Sequence, residues 1–189
     1  MTRVFALALA LLLSNACSQE DQGGLPPPVA MTADALGHYC QMALSEHPGP
    51  KAQIHLVGQK NPIFFAQVRD AVAFRRMPEQ SAAIAAVYVN DMGAAESWAA
   101  PGADNWIPAE DAYYVAGSTA VGGMGAAELV PFSRRDAAAD FAGKNGGQVL
   151  RLEEVPDAAV LGPALPVAEG GGAEGYRERL KALSHANGG

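Results

Sequence analysis

The 189-residue chain is long enough for one ordinary domain or two very small ones. Its formal charge of −7, with no run of Lys and Arg longer than a pair, excludes the basic surface of a nucleic-acid-binding protein. Hydrophobic residues make up 49% of the chain, and beyond the N-terminal apolar run they are concentrated between residues 35 and 157. That stretch is long enough to bury one core.

The N-terminus has the pattern of an export signal. Arg3 precedes an apolar run of about ten residues, which is too short to span a bilayer as a mature helix. The run ends in Leu13-Ser14-Asn15-Ala16-Cys17, which resembles a bacterial lipobox. We therefore predict a lipoprotein signal peptide at residues 1–16 and lipidation of Cys17. A plain secretory signal, cleaved near Ala16, is the alternative.

Residues 17–37 are predicted to be a lipid anchor and a flexible tether. They contain Gly23-Gly24 and Pro26-Pro27-Pro28, a composition that favours an extended spacer over packed structure. Ser18 after the lipidated cysteine favours the outer membrane over the inner one. The predicted location is the periplasmic side of the cell envelope, with the protein attached to the membrane through its lipid.

Hydrophobic periodicity predicts an α+β fold of two repeated ββαβ units, at residues 38–93 and 94–157, followed by a flexible tail at 158–189. The first unit is predicted to contain strands 52–57, 63–65 and 82–89 and a helix over 67–76. The second is predicted to contain strands 112–117, 128–132 and 148–155 and a helix that runs from an N-cap at Ser133 to Asn145. The joint between the units, residues 91–111, is assigned no element.

The stretch His38-Tyr39-Cys40-Gln41-Met42 carries the most distinctive chemistry of the chain. A lipid on Cys17 would leave Cys40 without a disulfide partner, in a compartment where free thiols are open to oxidation. Cys40 and Met42 are two residues apart, so an extended segment would point both sulfurs to the same side. Thiolate and thioether are the ligands that Cu(I) prefers.

A second sulfur ligand is predicted at Met124. Glycines surround this residue in Gly122-Gly123-Met124-Gly125, which favours a flexible, closely approaching loop over a packing role. His38 and His47 are candidate additional ligands, whereas His55 lies inside a predicted strand and is assigned a structural role. The alternative is that Cys40 is a buried structural residue.

Hydrolase and nucleotide-binding motifs are absent from the sequence. It contains no GxSxG, HExxH or GxxxxGK[ST], and its four histidines lack the paired spacing of a zinc site. A nucleophilic pair of Cys40 and His47 is formally open, but no recognisable carboxylate or oxyanion loop accompanies it.

These elements together resemble the NosL family, lipoproteins encoded with nitrous oxide reductase and implicated in delivering copper to it. The resemblance covers roughly residues 38–155. It rests on the lipobox, Tyr39-Cys40-Gln41-Met42, His47-Pro48-Gly49-Pro50-Lys51-Ala52-Gln53-Ile54, Tyr114-Val115-Ala116-Gly117-Ser118, Gly123-Met124-Gly125 and Glu128-Leu129-Val130-Pro131-Phe132.

The resemblance implies a Cu(I)-binding accessory protein and a fold related to the paired ββαβ units of organomercurial lyase. The family's characteristic sulfurs correspond to Cys40, Met42 and Met124, and Gln41 stands where the family usually has glycine. The expected function is therefore a non-enzymatic Cu(I) chaperone for nitrous oxide reductase or its assembly proteins. An organomercurial-lyase-like enzyme and a lipoprotein adaptor without metal are the alternatives.

Overall fold

The computed structural model of the protein describes residues 24–162, which form two antiparallel sheets and three α-helices. The elements are β1 (Ala52–Leu56), β2 (Ile63–Phe65), α1 (Val68–Arg76), β3 (Ile84–Asn90), β4 (Trp106–Pro108), β5 (Tyr113–Ala116), β6 (Val130–Phe132), α2 (Arg135–Asn145), β7 (Gln148–Leu150) and α3 (Asp157–Val160). One sheet has the strand order β2-β1-β3-β4 and the other β6-β5-β7. Mixed helices and strands with antiparallel pairing confirm the predicted α+β class.

The first sheet is built around β1, whose five residues are all buried. Successive side chains of a strand point to opposite faces of the sheet, so the residues of β1 are buried on both faces. Ala52, Ile54 and Leu56 enter the main hydrophobic core, on the face covered by α1. Gln53 lies on the other face, where its side chain hydrogen-bonds to the backbone of Val29. The N-terminal segment thus provides hydrogen-bond partners for the buried Gln53 side chain on that face of β1.

The second sheet is built around β5. Tyr114 is fully buried in the main core, and its hydroxyl donates to the carbonyl of Ala109 at 2.7 Å. The next residue, Val115, faces the opposite way into a smaller cluster with Ala138 of α2. The main core also takes Leu152 and other residues that follow the second sheet, so the two halves share one core.

Three local sequence predictions are wrong. The joint at 91–111 contains strand β4, which pairs with β3 at Tyr88↔Pro108. The N-cap of α2 is Arg134, because the Ser133 hydroxyl donates to Asp91 and does not cap the helix. The last strand ends at Leu150, because Leu152 turns into the core in a short 3-10 turn, Leu152–Glu154.

Both ends of the described chain pack against the domain. The predicted tether is described from Gly24 onward, where the chain has no regular secondary structure, but the carbonyl of Pro26 accepts from the Tyr88 hydroxyl at 2.7 Å. The predicted tail begins inside α3, where Val160 is buried and its carbonyl accepts from the Arg69 guanidinium at 3.3 Å. The predicted signal peptide, Cys17 and residues 163–189 lie outside the described residues.

Between residues 24 and 162, no helix is long and apolar enough to cross a bilayer.

Asp91 connects the two halves directly after β3. Its buried carboxylate accepts from the backbone N–H groups of Gly93 at 2.8 Å and Ser133 at 3.1 Å, and from the Ser133 hydroxyl. The neighbouring Met92 N–H donates to Pro131 in β6 at 2.9 Å. One carboxylate therefore joins the end of β3 to the loop that starts α2.

We expect Asp91→Ala to lower the free energy of unfolding by about 2 kcal/mol, because it leaves partly buried N–H donors without an acceptor. Asp91→Asn keeps one acceptor oxygen and should lose less. Urea unfolding measures the difference, and Asp104→Ala, at an exposed aspartate of the same joint, is the control. Equal stability of Asp91→Ala and the wild type would contradict this role.

Candidate functional site

The Cys40 segment forms a tight closed loop. An antiparallel bridge joins Leu36 to Ala43, and inside it the N–H of Gly37 donates to the carbonyl of Met42 at 3.0 Å. Residues 38–40 are a turn. The extended conformation that sequence reasoning used to place the Cys40 and Met42 side chains together is therefore wrong.

Gln41 is the one non-glycine residue with a positive φ among residues 24–162, at 55°. This left-handed conformation costs an L-residue on the order of 1 kcal/mol, whereas glycine adopts it freely. The Gln41 amide offsets part of that cost by donating to the carbonyls of His38 at 2.7 Å and Gly37 at 3.3 Å. The glutamine thus takes a backbone conformation that suits glycine and supports it with its own side chain.

The Cys40 thiol is half-buried and lies directly over Gly37. A methyl group at residue 37 would lie 2.5 Å from the Cys40 Sγ, so only glycine leaves room for the sulfur. The thiol lines a cavity of about 310 Å³, here called the sulfur cavity, whose lining residues are Tyr39, Cys40, Phe65, Ala66, Gln67, Arg69, Asp70, Met124, Ala126 and Gly162.

Met124 reaches the sulfur cavity from the second half of the chain. It lies in a small hairpin loop, residues 121–127, closed by a bridge between Val121 and Ala127 and by the N–H of Gly122 donating to Ala126 at 2.8 Å. Gly125, with φ of 79°, makes the turn. Met124 remains 43% exposed although it lines the cavity.

Two side chains of the first half hold this loop. The Gln67 Oε1 accepts from the N–H of Met124 at 2.8 Å, and the His47 Nδ1 lies 3.0 Å from the carbonyl of Gly123. Gly123 also packs closely, since a Cβ there would lie 2.5 Å from that of His47. Glycines at these positions let the loop backbone approach the first half within hydrogen-bonding distance.

The predicted ligands therefore have different positions. Cys40 and Met124 line the same cavity, whereas Met42 is 40% exposed and does not line it. His38 packs against the rings of Phe65 and Phe74, and His47 supports the Met124 loop. Neither histidine lines the sulfur cavity.

Sequence reasoning missed Gln67 and Asp70 of the sulfur cavity. Burial raises the pKa of the Asp70 carboxyl, and attraction to Arg69 partly opposes that shift. Burial also raises the pKa of the Tyr39 hydroxyl, with a contribution from Asp70. Burial thus disfavours the charged forms of Asp70 and Tyr39. Neither residue carries a sequence signal, because only the packing of α1 against the two loops places them there.

A buried carboxyl lies behind the Met124 loop. Glu128 is almost fully buried, and its Oε1 accepts from the backbone N–H groups of Leu129 at 2.9 Å and Arg69 at 3.2 Å. Its Oε2 has no hydrogen-bond partner. Burial raises the pKa of Glu128 to about 8, and burial likewise lowers the pKa of Lys51 to about 8. Burial therefore favours the protonated form of Glu128.

In residues 24–162, no group of three His, Cys, Asp or Glu side chains is arranged to hold a metal ion. The site is instead a cavity of a small α+β domain, lined by the free thiol of Cys40 and by Met124 from the other half of the chain. Residues 28–160 match the family model described as NosL, and the chain belongs to the NosL family.

Two relatives and one solved structure extend this assignment. The chain is 54% identical to the copper-binding lipoprotein NosL of Achromobacter cycloclastes, over 99% of this chain and 97% of the relative. It is 34% identical to the protein of that name from Stutzerimonas stutzeri, over 89% and 86%. The crystal structure of the copper chaperone NosL from Shewanella denitrificans is similar in fold, with a TM-score of 0.64, 32% identity and coverage of 70% of this chain and 99% of that one.

We expect the buried proton on Glu128 to make stability depend on pH. The folded-state pKa is raised from 4.5 to about 8, so the folded protein holds a proton that the unfolded chain releases in this range. This contribution to stability is complete below pH 4.5 and is lost as the pH rises towards 8.

Melting temperatures of the wild type and Glu128→Gln, measured from about pH 5 to pH 7.5, test this expectation. The wild type should lose stability relative to the glutamine variant as the pH rises, and Glu153→Gln, at an exposed glutamate, should follow the wild type. Parallel curves for the wild type and Glu128→Gln would contradict it.

Proposed function

We propose that this protein binds one Cu(I) ion as cargo and delivers it for the maturation of nitrous oxide reductase. The observation that carries the proposal is that Cys40 and Met124, a thiol and a thioether from opposite halves of the chain, line one cavity. Relatives are named copper-binding lipoprotein and copper chaperone, which supports copper as the cargo.

The oxidation state follows from the chemistry of the donors. Cu(I) is a soft ion that accepts thiolate and thioether ligands at low coordination number. Cu(II) favours imidazole and carboxylate ligands, and structural Zn(II) sites use four thiolate or imidazole ligands, not a thioether. Binding would remove the Cys40 proton and form a thiolate–Cu(I) bond without net charge. A neutral unit suits this cavity, where burial already raises the pKa of Asp70.

Met42 is proposed as the third sulfur. It follows Cys40 across the Gln41 turn and is exposed, so its side chain is free to change rotamer when an ion binds to Cys40. An exposed third ligand would also allow a partner to replace it first, while Cys40 and Met124 still hold the ion. His38 and His47 remain candidates only for transfer, because neither lines the cavity.

We infer that Cys17 carries the lipid and that the folded domain stands on the periplasmic side of the envelope, with the outer membrane favoured by Ser18. The lipobox-like segment and the names of the relatives as lipoproteins support this arrangement. Lipidation of Cys17 would leave Cys40 as the one free thiol of the mature chain.

A carrier without enzymatic activity is favoured over an organomercurial-lyase-like enzyme. We infer that each half is a copy of one ββαβ unit, because each runs strand, strand, helix, strand with its first strand in the middle, in the orders β2-β1-β3 and β6-β5-β7. That arrangement is the expected relation to the lyase fold. Cleavage of a carbon–mercury bond would be expected to need a second thiol near Cys40, and the sequence has only Cys17 besides it.

A Cu(I) titration of the soluble domain from residue 18, against a competing chelator, tests the ligand set. We expect one tightly bound ion in the wild type, its loss in Cys40→Ser, and at least about tenfold weaker binding in Met124→Leu and in Met42→Leu, equivalent to about 1.4 kcal/mol per lost thioether.

Met31→Leu is the matched control, because this methionine lies by the Ala103 segment and does not line the sulfur cavity. It should bind Cu(I) like the wild type. Unchanged affinity in Cys40→Ser would refute the proposed site. Wild-type Cu(I) binding no stronger than that of a cysteine-free control would favour the metal-free adaptor.

Delivery is tested in cells that lack the native protein. We expect wild-type protein to restore the copper content of nitrous oxide reductase, and Cys40→Ser to fail at equal expression. Cys17→Ser should leave the membrane fraction while its purified domain still binds Cu(I). Full copper loading of the reductase with Cys40→Ser would reject the delivery step.

A further inference from the structure

Gln67 is the side chain that connects the first half of the chain to the Met124 loop. It precedes α1, is only 2% exposed and lines the sulfur cavity. Its Oε1 accepts the backbone N–H of Met124 at 2.8 Å. No other hydrogen bond involves the Met124 backbone N–H in the described part of the chain, so Gln67 holds the N–H side of the peptide group whose Gly123 carbonyl lies 3.0 Å from the His47 Nδ1.

The hydrogen-bonding partners determine the orientation of the Gln67 amide. A backbone N–H can only donate, so the oxygen of the amide must face Met124. Its Nε2 then points to the Asp70 carboxylate, with the Oδ2 at 3.4 Å. The opposite orientation would place two donors together at Met124 and two acceptors together at Asp70. The amide therefore has one favourable orientation, which makes it a rigid support.

The loop backbone is built to reach this amide. A Cβ on Gly122 would lie 2.8 Å from the Gln67 Oε1 and 2.4 Å from the Glu128 Oε2, closer than a real Cβ approaches any oxygen. The φ of Gly122 lies outside the left-handed region, so the need for glycine here comes from space and not from backbone conformation. The absence of a side chain at Gly122 thus leaves the space that the Gln67 amide occupies.

We propose that Gln67 is a positioning residue for copper binding, which holds the Met124 thioether at the mouth of the sulfur cavity opposite Cys40. The inference rests on the proposed function for its consequence, since it assumes that Met124 contacts the ion. Gln67 acts only through the Met124 peptide group, so its contribution to Cu(I) affinity disappears when residue 124 has no sulfur.

The first test concerns the loop and uses the protein without copper. We expect the Met124 amide proton, followed by NMR hydrogen exchange, to be protected in the wild type and to exchange markedly faster in Gln67→Leu. Gly122→Ala should give the same result by pushing the loop away from an intact Gln67. An unchanged Met124 exchange rate in Gln67→Leu would overturn the positioning role.

Gln53→Leu is the matched control for loss of a buried glutamine. Gln53 is fully buried and also holds a backbone segment, since its Oε1 accepts from Val29 at 2.8 Å, but it does not line the sulfur cavity. Gln53→Leu should lower stability without changing Met124 exchange or Cu(I) affinity. If it changes both as Gln67→Leu does, the effect is general destabilisation and the proposal is wrong.

The second test is a double-mutant cycle in Cu(I) affinity. When Met124 is present, Gln67→Leu should weaken Cu(I) binding by about fivefold to tenfold, which is the usual contribution of one hydrogen bond. In the Met124→Leu background the same substitution should weaken Cu(I) binding by less than about twofold. An equal loss in both backgrounds would overturn the proposal. If the Met124 amide exchanges faster in Gln67→Leu but Met124→Leu binds Cu(I) normally, Gln67 holds the loop and Met124 is not a ligand.

Discussion

The site depends on the contact between the glycine-rich loop of the second half and the residues around His47 and Gln67 in the first half. Cys40 and Met124 are 84 residues apart, and neither belongs to a strand or helix that would fix its position. The loop approaches because Gly122 and Gly123 leave no Cβ between the two backbones. The Gly123 carbonyl, 3.0 Å from the His47 Nδ1, and the Met124 N–H, which donates to the Gln67 Oε1, then hold the loop in place. Without this contact the two sulfurs would belong to separate surfaces.

The two halves are also held together away from the site. They share one hydrophobic core, and Asp91 joins the end of β3 to the start of α2. These contacts keep the bases of the Cys40 and Met124 loops at a constant separation. The loops themselves carry few buried apolar side chains, so movement can be confined to them. The proposed copper carrier would benefit from this division, since its ligands would rearrange when the ion enters or leaves and its frame would not.

Burial around the site controls which charges it tolerates. It raises the pKa of Asp70 beside the cavity and keeps a proton on Glu128 behind the loop. Burial thus disfavours the charged forms of these two carboxyl groups. A monovalent soft ion bound to one thiolate introduces no net charge, whereas a divalent ion would leave a positive charge in the same space. Donor type and electrostatics therefore favour the same cargo.

The sequence alone determined the components: the α+β class, most strand and helix positions, the sulfur residues and the family. These follow from local signals, namely alternation, helical spacing, turn residues and short motifs. Tertiary structure decided which sulfurs share a cavity, bringing Cys40 and Met124 together and leaving Met42 outside it. It also decided the turn at Gln41, strand β4 and the contact of Gln67 with the Met124 loop, which have no sequence signature. The physical reason is that these features arise from contacts between distant segments, whose geometry depends on packing that no short stretch encodes.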